Sequence, residues 1–223
     1  MAERQHNRPY GLKVARVSST ENDRLVWIDC EMTGLDLSVD ELAEIAIVVT
    51  DFDLNILHPG LSLVIKPSDA AMQNMGEFVT NMHTTSGLIT EIPDGISVAE
   101  AQERALAYIR QFVPQEMKAP LAGNTIGTDR MFLAKYMPEL DSFLHYRNVD
   151  VSSIKELSRR WYPRAYFQAP AKDGGHRALA DILESIRELA YYRSAVFVAD
   201  PGPTSIEARE ASEAVVARFA ENL

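Results

Sequence analysis

The sequence predicts an α/β domain in which a mixed sheet is layered with helices. Three observations carry that expectation. Three apolar runs with short links open the chain after a polar start, helical and strand patterns alternate behind them, and 223 residues suffice for one sizeable core.

Residues 1–23 are polar and charged and predict a disordered arm. A folded domain is expected over 24–199, and a linker with a C-terminal helix or tail over 200–223. Residues 25–28 form a short apolar run broken by Asp29 and Glu31, which reads as a buried strand with two carboxylates at its end. Gly34 and Asp36 mark a turn. Residues 44–50 and 61–65 predict two more strands, the second ended by Pro67, so the three form an antiparallel meander. Val98, Ala101, Ala105, Leu106, Ile109 and Val113 recur at helical spacing ahead of Pro114. A short buried strand follows at 120–124, then a helix over 129–136 stopped by Pro138, then a last strand at 148–151. Ser153 and Glu156 have capping-box spacing for a helix running to Trp161. Gly174 and Gly175 precede a long helix from about 177 to 198, and residues 200–203 (Asp-Pro-Gly-Pro) read as a linker.

Composition narrows the function classes. The single cysteine, Cys30, excludes an internal disulfide, and no apolar run reaches membrane-span length, so a cytoplasmic protein is expected. Against 22 Lys and Arg stand 32 Asp and Glu, a formal charge of −10. A non-specific grip on long nucleic acid needs a basic surface that releases counterions. If the substrate is a polyanion, it is better a short one, neutralised by metal ions or a few placed basic residues.

Three groups of residues carry chemistry. Asp29 and Glu31 are two apart, so on a strand they share a face. Side by side they raise each other's pKa unless a cation lies between them. A solvated strand end explains the pair equally well. Cys30 faces the other way, into the core. Residues 122–124 (Ala-Gly-Asn) lead into a helix with Asp129 in its first turn, which ordinary capping also explains. His176 and Asp181 are five apart, and five helical residues turn by about 500°, or about 140° net. They cannot share a helical face, so His176 must precede the helix on the glycine loop while Asp181 lies within it. Taken singly, a loop histidine and a surface acid account for both. Taken together, four carboxylates suit hard divalent cations, and His176 is the residue type best suited to act as a general base near neutrality.

With these residues in place, the chain resembles the DEDDh exonuclease superfamily, which has a ribonuclease H-like fold. Residues 27–35 match its first motif, Asn124 to Asp129 its second, and His176 with Asp181 its third. Within the superfamily the chain is most similar to the oligoribonuclease family, through residues 28–35, 121–124 and a block from His145, Tyr146 and Arg147 to Pro163. The resemblance covers roughly residues 24–198 and implies a five-stranded mixed sheet with helices on both faces. It also implies a homodimer that degrades very short RNA, dinucleotides especially, to 5′ mononucleotides. Two divalent ions, Mg²⁺ or Mn²⁺, would be held by Asp29, Glu31, Asp129 and Asp181, with His176 as base. Leu35 and His83 would contact substrate near the scissile bond, and Tyr146 would be lent across the dimer to stack on a base. Arg147, Thr125 and Ser152 would bind the 5′ phosphate and cap substrate length. Thr125 stands where many relatives carry serine and keeps the hydroxyl. The alternatives are action on longer RNA ends or single-stranded DNA, and an inert nucleic-acid-binding module on the same fold.

Overall fold

The structure is a computed structural model that describes residues 23–172 and 175–220. The expected arm lies outside the described residues but for Asp23. Strands β1 (Arg24–Met32), β2 (Leu42–Asp51) and β3 (Leu61–Val64) form the antiparallel meander. Four short segments follow: α1 (Asp69–Asn74), α2 (Glu77–Thr85), α3 (Leu88–Glu91) and a 3-10 turn at Ile92–Asp94. Helix α4 (Val98–Ile109) begins where the Ser97 side chain accepts the Glu100 amide, and its apolar stripe is buried as its periodicity predicts. Then come β4 (Pro120–Gly123), α5 (Gly127–Tyr136), α6 (Pro138–Phe143), β5 (His145–Asp150), α7 (Val151–Trp161), α8 (Pro163–Phe167), α9 (Ala178–Ala195) and α10 (Ser205–Phe219).

The sheet order is β3-β2-β1-β4-β5, with β4 and β5 parallel to β1. The mixed sheet therefore has its parallel half where strands are joined through helices, as crossover connections demand. Side-chain alternation divides its two faces. Val26, Ile28 and Cys30 of β1 join Ile45, Ile47 and Val49 of β2 in a core with α4, α5 and α6. Leu25 and Trp27 join Ala46 and Val48 against Ala178, Ile182, Ile186 and Leu189 of α9. Both faces of the sheet are covered, so the central strands are apolar throughout rather than alternating. Trp27 is fully buried, and its indole N–H donates to Thr50 Oγ1 at 3.0 Å.

Several boundaries differ from the sequence expectation. The last strand begins at His145, three residues early, because pairing with β4 organises a polar stretch whose pattern alone gives no strand signal. Val151 is already helical, and the α7 cap is Asp150, whose carboxylate accepts the Ser152 amide at 2.9 Å, not the Ser153–Glu156 box. Helix α7 ends at Trp161 as expected, and Pro163 opens α8, where its missing N–H costs nothing. The short helices between residues 69 and 94 were not legible, since each is too short to show a period. Every described side chain of α10 is exposed, and its start is a Thr204–Glu207 capping box. Among the described residues no helix is long and apolar enough to cross a membrane.

Candidate active site

The two-residue spacing on β1 places Asp29 and Glu31 on the face that packs against α9, with Cys30 buried in the opposite core. Asp181 lies in the first turn of α9, and His176 precedes that helix, as the rotation between them requires. Of the two glycines before it, Gly174 lies outside the described residues. Carboxylate oxygens of Asp29, Glu31 and Asp181 lie within 4.8 Å of one another. Asp129 enters from α5, and its Oδ1 accepts the Cys30 amide at 3.0 Å. It falls outside that closest group but lines the same cleft. The cleft has a volume of about 630 Å³ and is lined by all five of these residues, with Leu35, Phe78, Thr125 and Lys172 among others.

The cluster is electrostatically unfavourable by itself. Burial is the largest cause that raises Asp29 well above the usual carboxylate range, and Asp129, Asp181, Glu31 and Glu44 add to it. Burial, then Asp181, Glu44 and Asp129, push Glu31 up to about 8. Asp129 rises to about 7, again through burial, although the Cys30 amide opposes the shift. Asp181 is raised by burial and by Glu184, partly offset by His176 and Lys172. Acids this close, desolvated and mutually repelling, have the donor set of a hard-cation site, because a divalent ion reverses each of these penalties. The residues therefore fit a divalent metal.

The rim is organised by hydrogen bonds that the sequence did not announce. The Thr125 amide donates to Asp150 Oδ1 at 3.0 Å and Ser152 Oγ at 2.9 Å, and the Ser152 hydroxyl donates to Asn124 Oδ1 at 3.0 Å. Asn124 in turn donates to Ser185 and Glu188, and buried Glu188 also pairs with Lys155 and Lys172, each at 3.0 Å. Thr125 (φ 54°) and His176 (φ 47°) adopt left-handed backbone conformations that cost a non-glycine residue energy, most of all a β-branched one. Both line the cleft.

The remaining residues of the resemblance separate into three places. Leu35, 75% exposed, stands on the cleft wall. His83 is fully buried behind Glu31, with Nε2 2.8 Å from the Met32 carbonyl oxygen and Nδ1 3.9 Å from Glu31 Oε2. It is closed off from solvent and does not line the cleft. Tyr146 and Arg147 project from β5, exposed, with the guanidinium carbon 5.4 Å from the Tyr146 ring centre. Neither belongs to the lining of this chain's own cleft.

Sequence reasoning missed Glu44. It opens the second apolar run, pairs in register with Glu31 and is only 1% exposed. A charge at the head of a strand buried on both faces was the available signal. Its partner Arg177 lies between His176 and α9 and had no signal, because ion pairs between distant segments leave no local pattern.

Known proteins share both sequence and fold. The RNase T exonuclease family profile matches residues 26–189. The oligoribonuclease of Leifsonia xyli subsp. xyli is 70% identical over 201 residues, spanning 90% of this chain and 97% of that protein. The oligoribonuclease of Streptomyces griseus is 61% identical over 189 residues (85% and 94%), and that of Mycobacterium avium 60% over 186 (83% and 86%). Among solved structures, exonuclease I of Methylocaldum szegediense aligns with TM-score 0.57 at 19% identity. The zinc-bound complex of E. coli exonuclease I with single-stranded DNA aligns with TM-score 0.62 at 13% identity. The chain is covered to 78% in each case and spans 41% of those longer chains, so these likenesses bear on the ribonuclease H-like fold alone. From a profile match over most of its length and relatives this similar over nearly theirs, the chain belongs to the oligoribonuclease family of RNase T-type exonucleases.

Proposed function

We propose that the chain is a metal-dependent 3′-to-5′ exoribonuclease that degrades very short RNA, dinucleotides especially, to 5′ mononucleotides in the cytoplasm. The observation that carries this reading is the convergence of Asp29, Glu31 and Asp181 oxygens within 4.8 Å in a cleft that Asp129 and His176 also line. The relatives' name, oligoribonuclease, supports the substrate class. So does the formal charge of −10, which suits a short polyanion better than a long one.

Asp29, Glu31, Asp129 and Asp181 would hold two divalent ions, Mg²⁺ or Mn²⁺. Such ions lower the pKa of an attacking water and stabilise charge on the leaving oxygen. His176 takes the proton from that water, and its place ahead of α9 lets it approach the 3′-terminal phosphodiester from solvent. In-line displacement breaks the bond to the 3′ oxygen of the preceding nucleotide and releases a 5′ mononucleotide. Leu35 packs against a base beside the scissile bond, while buried His83, bonded to the Met32 carbonyl, stays behind the cleft wall. Thr125 and Ser152 present hydroxyls to the 5′ phosphate, the Ser152 proton turning to it from Asn124 Oδ1.

Tyr146 and Arg147 complete the substrate site of a partner copy in a homodimer. Their exposure and their absence from their own chain's cleft lining support that assignment. Arg147 offers forked donors for a 5′ phosphate, and Tyr146 a stacking face usable with any base. The exonuclease unit is residues 24–199.

The test is hydrolysis of RNA from two nucleotides upward with Mn²⁺ or Mg²⁺, then with a chelator. A metal-dependent rate that falls steeply with length is expected, and Asp29→Ala should abolish it in a folded chain. Indifference to length would favour a general exonuclease. Absence of hydrolysis with either metal would favour an inert binding module.

A further inference from the structure

Glu44 is a fifth carboxylate on the catalytic face of the sheet. It lies directly across from Glu31 in the β1–β2 ladder, and opposed residues of an antiparallel pair point to the same side. It nevertheless falls outside the close group of Asp29, Glu31 and Asp181. Its lone pairs are committed elsewhere. Oε1 accepts Ser62 Oγ at 2.7 Å and Arg177 Nη2 at 3.1 Å, and Oε2 accepts Arg177 Nε and the Ala178 amide, both at 3.3 Å. The same guanidinium donates from Nη1 and Nη2 to both oxygens of Glu91, at 2.8 and 3.0 Å. Arg177 is thus gripped from two sides, by β2 and by the end of α3.

What it grips decides the geometry of the site. Arg177 is the residue from which α9 starts, and its carbonyl oxygen accepts the Asp181 amide at 3.1 Å. His176 is its neighbour in the chain, in a left-handed conformation that must be held from outside. We infer that Arg177, clamped between Glu44 and Glu91, is the positioning residue that docks the start of α9 on the sheet and so fixes Asp181 and His176 relative to Asp29 and Glu31. This rests on the exoribonuclease reading for what the site does, but the clamp itself is a matter of geometry. The planar fork meets each carboxylate with two donors at once; a lysine ammonium gathers its three donors at one point and cannot reproduce that paired geometry.

The experiment compares the full-length chain with Arg177→Lys, Glu91→Gln and the double variant Glu44→Gln/Arg177→Met. Arg177→Lys keeps a cation beside buried Glu44, and the double variant removes both charges together, so neither leaves an unpaired buried ion. Melting curves check folding. Dinucleotide hydrolysis gives kcat and KM, and calorimetric titration with Mn²⁺ alone gives metal affinity without reference to activity. Arg177→Lys and the double variant should lose on the order of 10–100-fold in kcat and in Mn²⁺ affinity, with KM within about twofold. Glu91→Gln should lose less, since Glu44 keeps its grip. Wild-type kcat and Mn²⁺ affinity in Arg177→Lys, or their return in the double variant, would overturn the clamp. A wild-type chain that hydrolyses no dinucleotide would refute the functional reading alone, and the Mn²⁺ titration would still judge the clamp.

Discussion

Glu31→Gln should stabilise the metal-free chain while destroying its activity. Burial, aided by Asp181, Glu44 and Asp129, holds the Glu31 carboxyl at about 8 instead of its ordinary 4.5. The folded value lies above the unfolded one, so between these values the folded chain binds the extra proton. Stability therefore falls as pH rises through that window, at up to about 1.4 kcal/mol per pH unit. Near pH 7.5 the accumulated cost reaches roughly 4 kcal/mol, and the neutral amide of Gln avoids it. Allowing for altered contacts beside His83, a gain of about 2–4 kcal/mol remains, or roughly 4–16 °C in Tm for a domain of this size. The assay is thermal melting in chelator from about pH 5 to pH 8.5. The wild-type Tm should fall with pH more steeply than the variant's, and the two should converge towards the acid end. Added Mn²⁺ should raise the wild-type Tm far more than the variant's. A variant less stable than wild type near pH 7.5 in chelator would refute the claim that Glu31 is held against its own charge.

Other substitutions probe the support of the site and the cap. A Cβ at Gly34 would come within 2.3 Å of the Asp40 carboxylate, which accepts the Thr33 hydroxyl and the Asp36 amide. Gly34→Ala should therefore cost about 1–3 kcal/mol in urea unfolding and raise KM by displacing Leu35. Trp27→Phe removes the buried bond to Thr50 and part of the α9-facing core. A loss of roughly 1–3 kcal/mol with kcat unchanged is expected, and a large fall in kcat would show that Trp27 also shapes the site. Arg147→Ala should lower the preference for dinucleotides over longer RNA on the order of 10–100-fold, the worth of a charge-assisted phosphate contact. An unchanged length profile would remove Arg147 from the cap.

Much of the fold was legible because it is written in periods. The three apolar runs gave the meander, and the stripe from Val98 to Ile109 gave α4. The polar start of β5 was not legible, because a strand held by its neighbour needs no hydrophobic pattern of its own. Nor was the Asp150 cap, which is chosen by where the strand stops.

By itself the sequence determined which residues could do the chemistry. It put Asp29 and Glu31 on one strand face, Asp129 in the first turn of a helix, and His176 outside the helix that carries Asp181. These follow from local geometry, two residues per strand repeat and 3.6 per helical turn, which the chain fixes wherever it folds. Only the tertiary structure brought Asp29, Glu31 and Asp181 within 4.8 Å of one another, set Asp129 and His176 in the same cleft, and raised the four carboxylates above their ordinary range by burial. It also separated Glu44 from the group, although Glu44 is likewise a buried carboxylate on the same face. Distances between remote segments, and the partners that occupy a carboxylate's oxygens, depend on how helices dock on the sheet. For this chain the docking contact at the start of α9 is Arg177.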